Sequence, residues 1–157
     1  MQPQKNTPMK TLRPFFFLAA LVILVIQPGC ATLEKLVYNH IRATVNNQNF
    51  STTVVEGTAV AGYITLAGSS TTGSQVITIV VPQSIKPGTY KLSSIGSYKI
   101  EYKAANNSVY AASSGELIIL SHDVVNKKIN GTFHFKGLNL SSASVDVTAG
   151  NFTVSYF

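Results

Sequence analysis

The fold is decided by residues 115–136, which read GELIILSHDVVNKKINGTFHFK. Apolar and polar residues alternate along this stretch, and a period of two is typical of β-strands with one buried face. The sequence VNKK at 125–128 interrupts the alternation, so we predict one antiparallel hairpin that turns there. The pairs expected on its buried face are Val124 with Ile129, Leu120 with Phe133, Ile118 with Phe135, and His122 with Gly131.

The opposite face of this predicted hairpin is mostly polar and is expected to meet water. Its members are Ser121, Asp123, Asn130, Thr132, His134 and Lys136, together with the apolar Leu117 and Ile119. Because one face is apolar, the hairpin has to pack against further strands to bury it.

Short alternating segments follow one another along the rest of the chain. They include predicted turns at 46–47 and 149–150, a strand at 60–66, and an alternating strand at 98–103. No segment after residue 40 shows a helical period of useful length. We therefore predict one all-β domain over residues 41–157. Its expected architecture is an antiparallel β-sandwich of about ten short strands, with a closed β-barrel as the alternative.

Composition and charge agree with this class. The chain has 157 residues, of which 45% are hydrophobic and 11% charged, with seven Tyr, eight Phe and no Trp. The formal charge of +6 falls when counting starts at Cys30, which leaves nine basic and six acidic residues, a net charge of +3. The basic residues are scattered singly along the predicted strands, so we expect no nucleic-acid partner.

The N-terminal part has the pattern of an export signal. Lys10 and Arg13 precede an apolar run at 15–26, and small residues follow it. Twelve apolar residues are fewer than the roughly twenty that span a bilayer. We predict a signal peptide over residues 1–29, with a short buried helix or an uncleaved membrane anchor as alternatives. Translation could start at Met1 or at Met9.

Gly29 and Cys30, directly after the apolar run, resemble the lipobox of bacterial lipoproteins. That resemblance implies a lipid on the thiol of Cys30, a tether over residues 30–40, and attachment to the outer membrane of a bacterium. Gln27 and Pro28 depart from the usual lipobox pattern. Ordinary secretion with cleavage after Ala31 is the competing interpretation.

Five segments resemble a family of short lipoproteins of unknown function from the Bacteroidota. They are residues 45–50, 87–90, 114–119, 128–135 and 147–154. Asn47 and Phe50 depart from the family, which tends to have Gly and a later Trp there. The resemblance implies the β fold and the bacterial envelope, and it brings no catalytic residue with it.

The histidines and acids are the candidates for catalysis or metal binding. Alternation puts His122 on the buried face, packed over Gly131, whereas Asp123 and His134 lie outside. We therefore expect a structural His122, no metal site and no cofactor. No spacing in the sequence fixes two carboxylates at one site, and no Gly-x-Ser-x-Gly motif occurs. A glycosidase would need distant acids such as Glu56, Glu101, Glu116 and Asp146 to converge in the fold, and this alternative stays open. The chain is predicted not to be an enzyme.

Tyrosines are the remaining candidates for a binding surface. A platform for sugar or peptide would draw on Tyr63, Tyr98, Tyr102, Tyr110 and Tyr156, although core packing is the expectation for these rings. The predicted function is a non-catalytic, lipid-anchored envelope protein, a binding or structural module whose partners are the membrane and an unidentified protein or glycan. The alternative is a small lipid- or metabolite-carrying β-barrel, which would need an interior cavity.

Overall fold

A computed structural model describes residues 39–157, which form ten β-strands. No helix in these residues has the length and hydropathy that crossing a bilayer requires. The strands are β1 His40–Val45, β2 Gln48–Thr52, β3 Val55–Val60, β4 Tyr63–Ser69, β5 Val76–Pro82, β6 Gly88–Ser93, β7 Lys99–Lys103, β8 Val109–Asp123, β9 Lys128–Leu138 and β10 Ser144–Ser155. The predicted all-β class is confirmed. The expected signal peptide, the lipidated Cys30 and most of the tether lie outside the described residues.

All pairings are antiparallel, and the strands form one nearly closed, barrel-like sheet. The order around the sheet is β2, β1, β10, β9, β8, β7, β5, β4, β3. The strand β8 has fifteen residues, and residues 111–123 of it pair with β9 along one edge. On its other edge β7 pairs with residues 109–111 and β6 with residues 114–119, so β8 holds three neighbours.

Beyond β10, the chain closes one part of the sheet against β3. The amide of Phe157 donates to the carbonyl of Gly57 at 3.1 Å, and the amide of Ala59 donates to the carbonyl of Phe157 at 2.8 Å. A Cβ on Gly57 would lie 2.6 Å from the carbonyl oxygen of Ser155, so glycine permits this close approach. No strand of the described residues pairs with the outer edge of β2.

The barrel has two ends that differ in what they carry. The terminus end holds Asn39, Phe157, the β3–β4 and β8–β9 turns, and the loop at 83–87. The cleft end holds the β1–β2 turn, the loop at 70–75, and the turns at 104–108 and 139–143. These two names are kept below.

Aromatic rings fill the centre of the barrel. Phe133 lies 6.3 Å from Phe152 between ring centroids and 6.4 Å from Phe135, and all three are buried. Two strand glycines make room for the rings: a Cβ on Gly131 would meet the ring of Phe152 at 2.9 Å, and a Cβ on Gly150 would meet that of Phe133 at 2.5 Å. The interior is therefore occupied by side chains.

The predicted register of the deciding hairpin is wrong in β8. Leu117 and Ile119 are fully buried opposite Phe133 and Gly131, and Leu120 is 60% exposed. Two shifts cause this. The turn lies at 124–127 and not at 125–128, so Val124 is exposed and does not pair with Ile129. A β-bulge at Leu120 then adds one residue and changes the parity of the strand, which puts Ile118 opposite Thr132 and not Phe135. Phe152, and not His122, packs over Gly131. His122 returns to the inner side opposite Ile129.

Two further predictions about turns are corrected. The strand expected at 60–66 is a hairpin that turns at Ala61 and Gly62, both with positive φ, and Val60 is 66% exposed. The hairpin expected at 149–150 is one continuous strand, β10, with a bulge between Val147 and Gly150. In both cases the backbone needed positive φ, and pattern alone did not distinguish a turn from a bulge.

The predictions at 46–47 and 98–103 are confirmed. Asn46 and Asn47 have φ of 45° and 64°, which suits a two-residue hairpin turn, and Ala43 pairs with Phe50 as expected. In β7, the inward Ile100 and Tyr102 are buried.

Candidate functional site

A cleft of about 200 Å³ opens at the cleft end of the barrel. It lies between the β1–β2 hairpin on one side and the β7–β8 hairpin on the other. Its lining consists of Val45, Asn46, Gln48, Asn49, Phe50, Gln75, Tyr102, Ala104, Tyr110 and Val145. These residues come from segments up to one hundred positions apart, so only the folded barrel assembles the cleft.

The floor of the cleft is apolar and aromatic. Val45, Phe50, Tyr102 and Val145 are all buried there, because each lies on the inward phase of its strand. The floor is thus the surface of the barrel core at the cleft end, and four different strands position it.

Two tyrosines form one wall. Tyr102 in β7 is the cross-strand partner of Tyr110 in β8, with ring centroids 6.2 Å apart and planes inclined by 28°. Burial raises the pKa of Tyr102, and the neighbouring Tyr110 adds to the shift, so its hydroxyl stays protonated at neutral pH. Neither hydroxyl makes a hydrogen bond to another residue of the 39–157 region.

Amide side chains surround the opening. Two hydrogen bonds to Asp146 in β10 hold Asn46 in place. The side-chain oxygen of Asn46 accepts from the backbone N–H of Asp146 at 2.9 Å, and the backbone N–H of Asn46 donates to the Asp146 carbonyl at 2.9 Å. The backbone of Gln75 is held by Ser70 through two hydrogen bonds. The side-chain amides of Gln48, Asn49 and Gln75 bond to no other described residue. Their backbone is therefore set while their hydrogen-bonding groups remain available.

A second hollow of about 310 Å³ also borders the β1–β2 hairpin. It shares Asn49 and Phe50 with the cleft and adds Arg42, Ser51 and Ala149, among others. The lining of this hollow therefore includes one cationic side chain, that of Arg42, whereas the lining of the cleft has no charged side chain.

His122 lies at the terminus end, far from this cleft. Its Nδ1 is 2.9 Å from the carbonyl oxygen of Ile85, and its Nε2 is 2.7 Å from the hydroxyl oxygen of Tyr156. Since a carbonyl only accepts, Nδ1 carries the proton of a neutral ring and Nε2 accepts from the Tyr156 hydroxyl. Burial raises the pKa of Tyr156, and Asp123 raises it further. Both ring nitrogens are thereby used inside the protein.

Asp123 and His134 do not join His122 in one site. Asp123 accepts hydrogen bonds from the backbone and side-chain nitrogens of Asn126 at 2.9 and 2.7 Å. These bonds, the backbone one above all, lower the pKa of that carboxyl. His134 is exposed on the outside of β9. Within residues 39–157, no group of three or more His, Cys, Asp and Glu side chains is placed to hold a metal.

The four acids considered from the sequence lie on four different strands, and none lines the cleft. Glu101 pairs with Ala111, five residues from Glu116 along β8, a separation of about 17 Å at strand spacing. That is well beyond the roughly 5–9.5 Å that paired carboxylates of glycosidases span.

The five tyrosines do not form a common platform. Tyr102 and Tyr110 meet at the cleft, Tyr98 packs on Tyr90 at 4.5 Å, Tyr156 binds His122, and Tyr63 is exposed at the terminus end. The sequence did not predict the amide side chains around the opening of the cleft. Asn46 was predicted only as a turn residue. Nothing local in the sequence indicates that Gln48 and Gln75 face the same opening.

Residues 39–154 match a protein family described as Domain of unknown function (DUF6252). No curated protein and no solved structure matches the chain. The match agrees with the expected relation to an uncharacterised family, whereas lipid attachment and origin in the Bacteroidota remain predictions.

Proposed function

We propose that this chain, which belongs to the DUF6252 family of domains of unknown function, is a non-catalytic binding module of the bacterial envelope that is lipid-anchored at Cys30. One observation carries the proposal. The cleft combines an aromatic floor with tyrosine hydroxyls and side-chain amides that have no partner among the described residues. A few convergent polar groups over an apolar floor are the ordinary chemistry of a binding site.

The position of the cleft suits a protein held by its N-terminal side. The described region begins at Asn39, whose side-chain oxygen accepts from the amide of Ser155 at 3.0 Å at the terminus end. A tether from Cys30 would enter the domain there, with a reach of at most about 30 Å for nine residues. The cleft lies at the opposite end of the barrel from this point of entry.

Several arrangements support a role without catalysis. The ring nitrogens of His122 are engaged by Ile85 and Tyr156, and the acids on the outer strand faces stand apart. A general acid or base must reach the group on which it acts. Among the residues that line the cleft, only Tyr102 and Tyr110 carry an acidic or basic group, and the raised pKa of Tyr102 keeps its hydroxyl protonated at neutral pH.

The alternative of a lipid or metabolite carrier draws less support. A carrier of that kind needs an interior cavity of several hundred Å³. Phe133, Phe135 and Phe152 occupy the corresponding space in this barrel. Binding at the rim therefore fits the molecule better than transport inside it.

Anchoring is tested by labelling the full-length chain with palmitate in a Gram-negative host. We expect the wild type to be labelled and to sediment with membranes, because several acyl chains, at about 0.8 kcal/mol per buried CH₂, hold a protein firmly. Cys30→Ala should lose both properties. Unlabelled wild-type protein released in soluble form would contradict the anchor.

Binding is tested separately by thermal denaturation of the full-length protein with isolated envelope fractions: peptidoglycan, lipopolysaccharide and capsular polysaccharide. We expect at least one fraction to raise the Tm, because a ligand that binds only the folded state stabilises it. Tyr110→Ala should abolish the increase, and the exposed Tyr63→Ala at the terminus end should leave it unchanged. A response that survives Tyr110→Ala, or none from any fraction, would refute binding at the cleft.

A further inference from the structure

We infer that the cleft binds one uncharged sugar ring, a neutral pyranose unit of a glycan. This inference rests on the proposed binding function and adds the chemical class of the ligand. It follows from the charge of the lining, the combination of side chains, and the size of the cleft.

The lining carries no formal charge. Its ten residues include no Asp, Glu, Lys, Arg or His, and Tyr102 keeps its proton. A phosphate or carboxylate that entered would lose hydration without meeting a cation, which is costly. Arg42 lines the neighbouring hollow and not this cleft. A neutral ligand is therefore favoured over an acidic sugar or a phosphate ester.

The side chains match a ligand with an apolar face and a polar edge. The rings of Phe50, Tyr102 and Tyr110 supply apolar surface, on which the C–H face of a pyranose packs. Gln48, Asn49 and Gln75 each offer an amide with both donor and acceptor atoms. A sugar hydroxyl is also both donor and acceptor, so each amide fits it in either orientation. A purely aliphatic ligand would leave the amides without partners.

The volume limits the ligand to a single ring. The cleft encloses about 200 Å³, whereas pockets for drug-sized molecules span about 300–1,000 Å³. Further units of a glycan would lie above the rim in solvent. We accordingly expect weak binding, with a Kd in the millimolar range for a single sugar.

The competing ligand is an extended peptide on the outer edge of β2, which no described strand covers. Such a peptide would bind mainly through backbone hydrogen bonds. Its affinity would depend little on the side chain of Gln75, because the backbone groups of β2 would supply the hydrogen bonds. Substitution of Gln75 therefore distinguishes the sugar from the peptide.

The test uses the full-length protein, solubilised in detergent, and saturation-transfer NMR. The probes are the methyl glycosides of glucose, galactose, mannose and N-acetylglucosamine, with glucuronic acid, glucose 6-phosphate and a tetra-alanine peptide blocked at both ends. We expect saturation transfer to at least one neutral glycoside and none to the two charged sugars. Tyr110→Ala and Gln75→Ala should each weaken binding about tenfold, the effect of losing one aromatic contact or hydrogen bond.

Matched controls come from the terminus end. Tyr63→Ala and Gln83→Ala change an exposed tyrosine and an exposed glutamine there and should leave sugar binding unchanged. Tyr110→Phe keeps the ring and removes only the hydroxyl, so it should retain part of the affinity. Circular dichroism and Tm values establish that each variant is folded.

Three results would overturn the inference: no transfer to any neutral glycoside, equal binding of the charged sugars, or sugar binding that survives both Tyr110→Ala and Gln75→Ala. If the blocked peptide binds instead, or if an envelope fraction still raises the Tm in a Tyr110-dependent way, the binding module stands and only the sugar is wrong. If neither saturation transfer to a neutral glycoside nor a Tyr110-dependent rise in Tm is seen, both the sugar ligand and the binding function are refuted.

Discussion

The two ends of the barrel carry similar side chains that differ in their hydrogen bonding. At the terminus end, Tyr156, His122 and the Ile85 carbonyl form a chain of hydrogen bonds in which each polar atom has a partner. At the cleft end, Tyr102 and Tyr110 have hydroxyls without a partner in residues 39–157. A tyrosine near a polar group is thus structural or available for a ligand according to whether the protein already satisfies it.

The difference arises from how each end is covered. At the terminus end the loop at 83–87 folds over the barrel and buries Ile85. At the cleft end the β1–β2 turn is tied to β10 through Asn46, and the loop at 70–75 is tied to itself. These turns leave a gap between them, because no hydrogen bond within residues 39–157 joins the β1–β2 turn to the loop at 70–75.

The largest effect is expected from the core that both ends share. Phe152→Ala should lower the free energy of unfolding by about 3–5 kcal/mol, because it removes a buried ring that packs on Phe133 and Gly131. Urea denaturation measures the change. The control is Phe157→Ala, since the side chain of Phe157 is 83% exposed. Equal losses in both variants would contradict a barrel filled by Phe152.

The next effect distinguishes the histidines. His122→Ala should cost about 2 kcal/mol, because it leaves the Ile85 carbonyl and the Tyr156 hydroxyl without their partner. His134→Ala, on the exposed face of β9, should change stability by less than about 0.5 kcal/mol. Both values come from urea denaturation at pH 7. A loss confined to the His134 variant would reverse our assignment of the structural histidine.

A smaller effect compares the hydroxyls of the two ends directly. Tyr156→Phe should destabilise the protein by about 1 kcal/mol, since it removes the donor to His122 Nε2. Tyr110→Phe should be close to neutral, because its hydroxyl bonds to no other described residue. The two variants remove the same atom, so a difference in Tm isolates its role. Equal losses would mean that the cleft end is as fully satisfied as the terminus end.

The smallest effect concerns Asp123 in the β8–β9 turn. Hydrogen bonds from Asn126 lower the pKa of this carboxyl in the folded state. Its stabilising contribution is therefore present above the ordinary pKa of aspartate and is lost as the pH falls through the lowered pKa. Asp123→Asn should reduce the Tm slightly at pH 7 and not at all in strong acid. A difference that grows on acidification would have the wrong sign for this mechanism.

Much of the fold follows from alternation, and the errors arise where a bulge or a turn interrupts it. In β9 the residues expected inside, from Ile129 to Phe135, are buried as predicted. In β8 one bulged residue, Leu120, moved Leu117 and Ile119 inward. A bulge depends on how two strands fit around the barrel, so it leaves no signal in the strand that contains it.

The cleft could be predicted only in part. Its two tyrosines were among the five candidates for an aromatic platform, and the fold brings only Tyr102 and Tyr110 together at the cleft. Gln48 and Gln75 stood in turn-rich sequence with no periodic signal. Their proximity depends on the order of the strands, in which β2 and β5 are not neighbours, and strand order is not encoded locally.

The hydrogen bond between Asn39 and Ser155 has a practical consequence for engineering. The first and last strands lie side by side, so a short peptide could join them and the chain could be opened elsewhere, as circular permutation requires. Opening it at Asn106 and Asn107, in the exposed turn that follows β7, would place the new ends beside Tyr110. A permutant immobilised on a surface through these new ends would then expose the terminus end of the barrel to solvent.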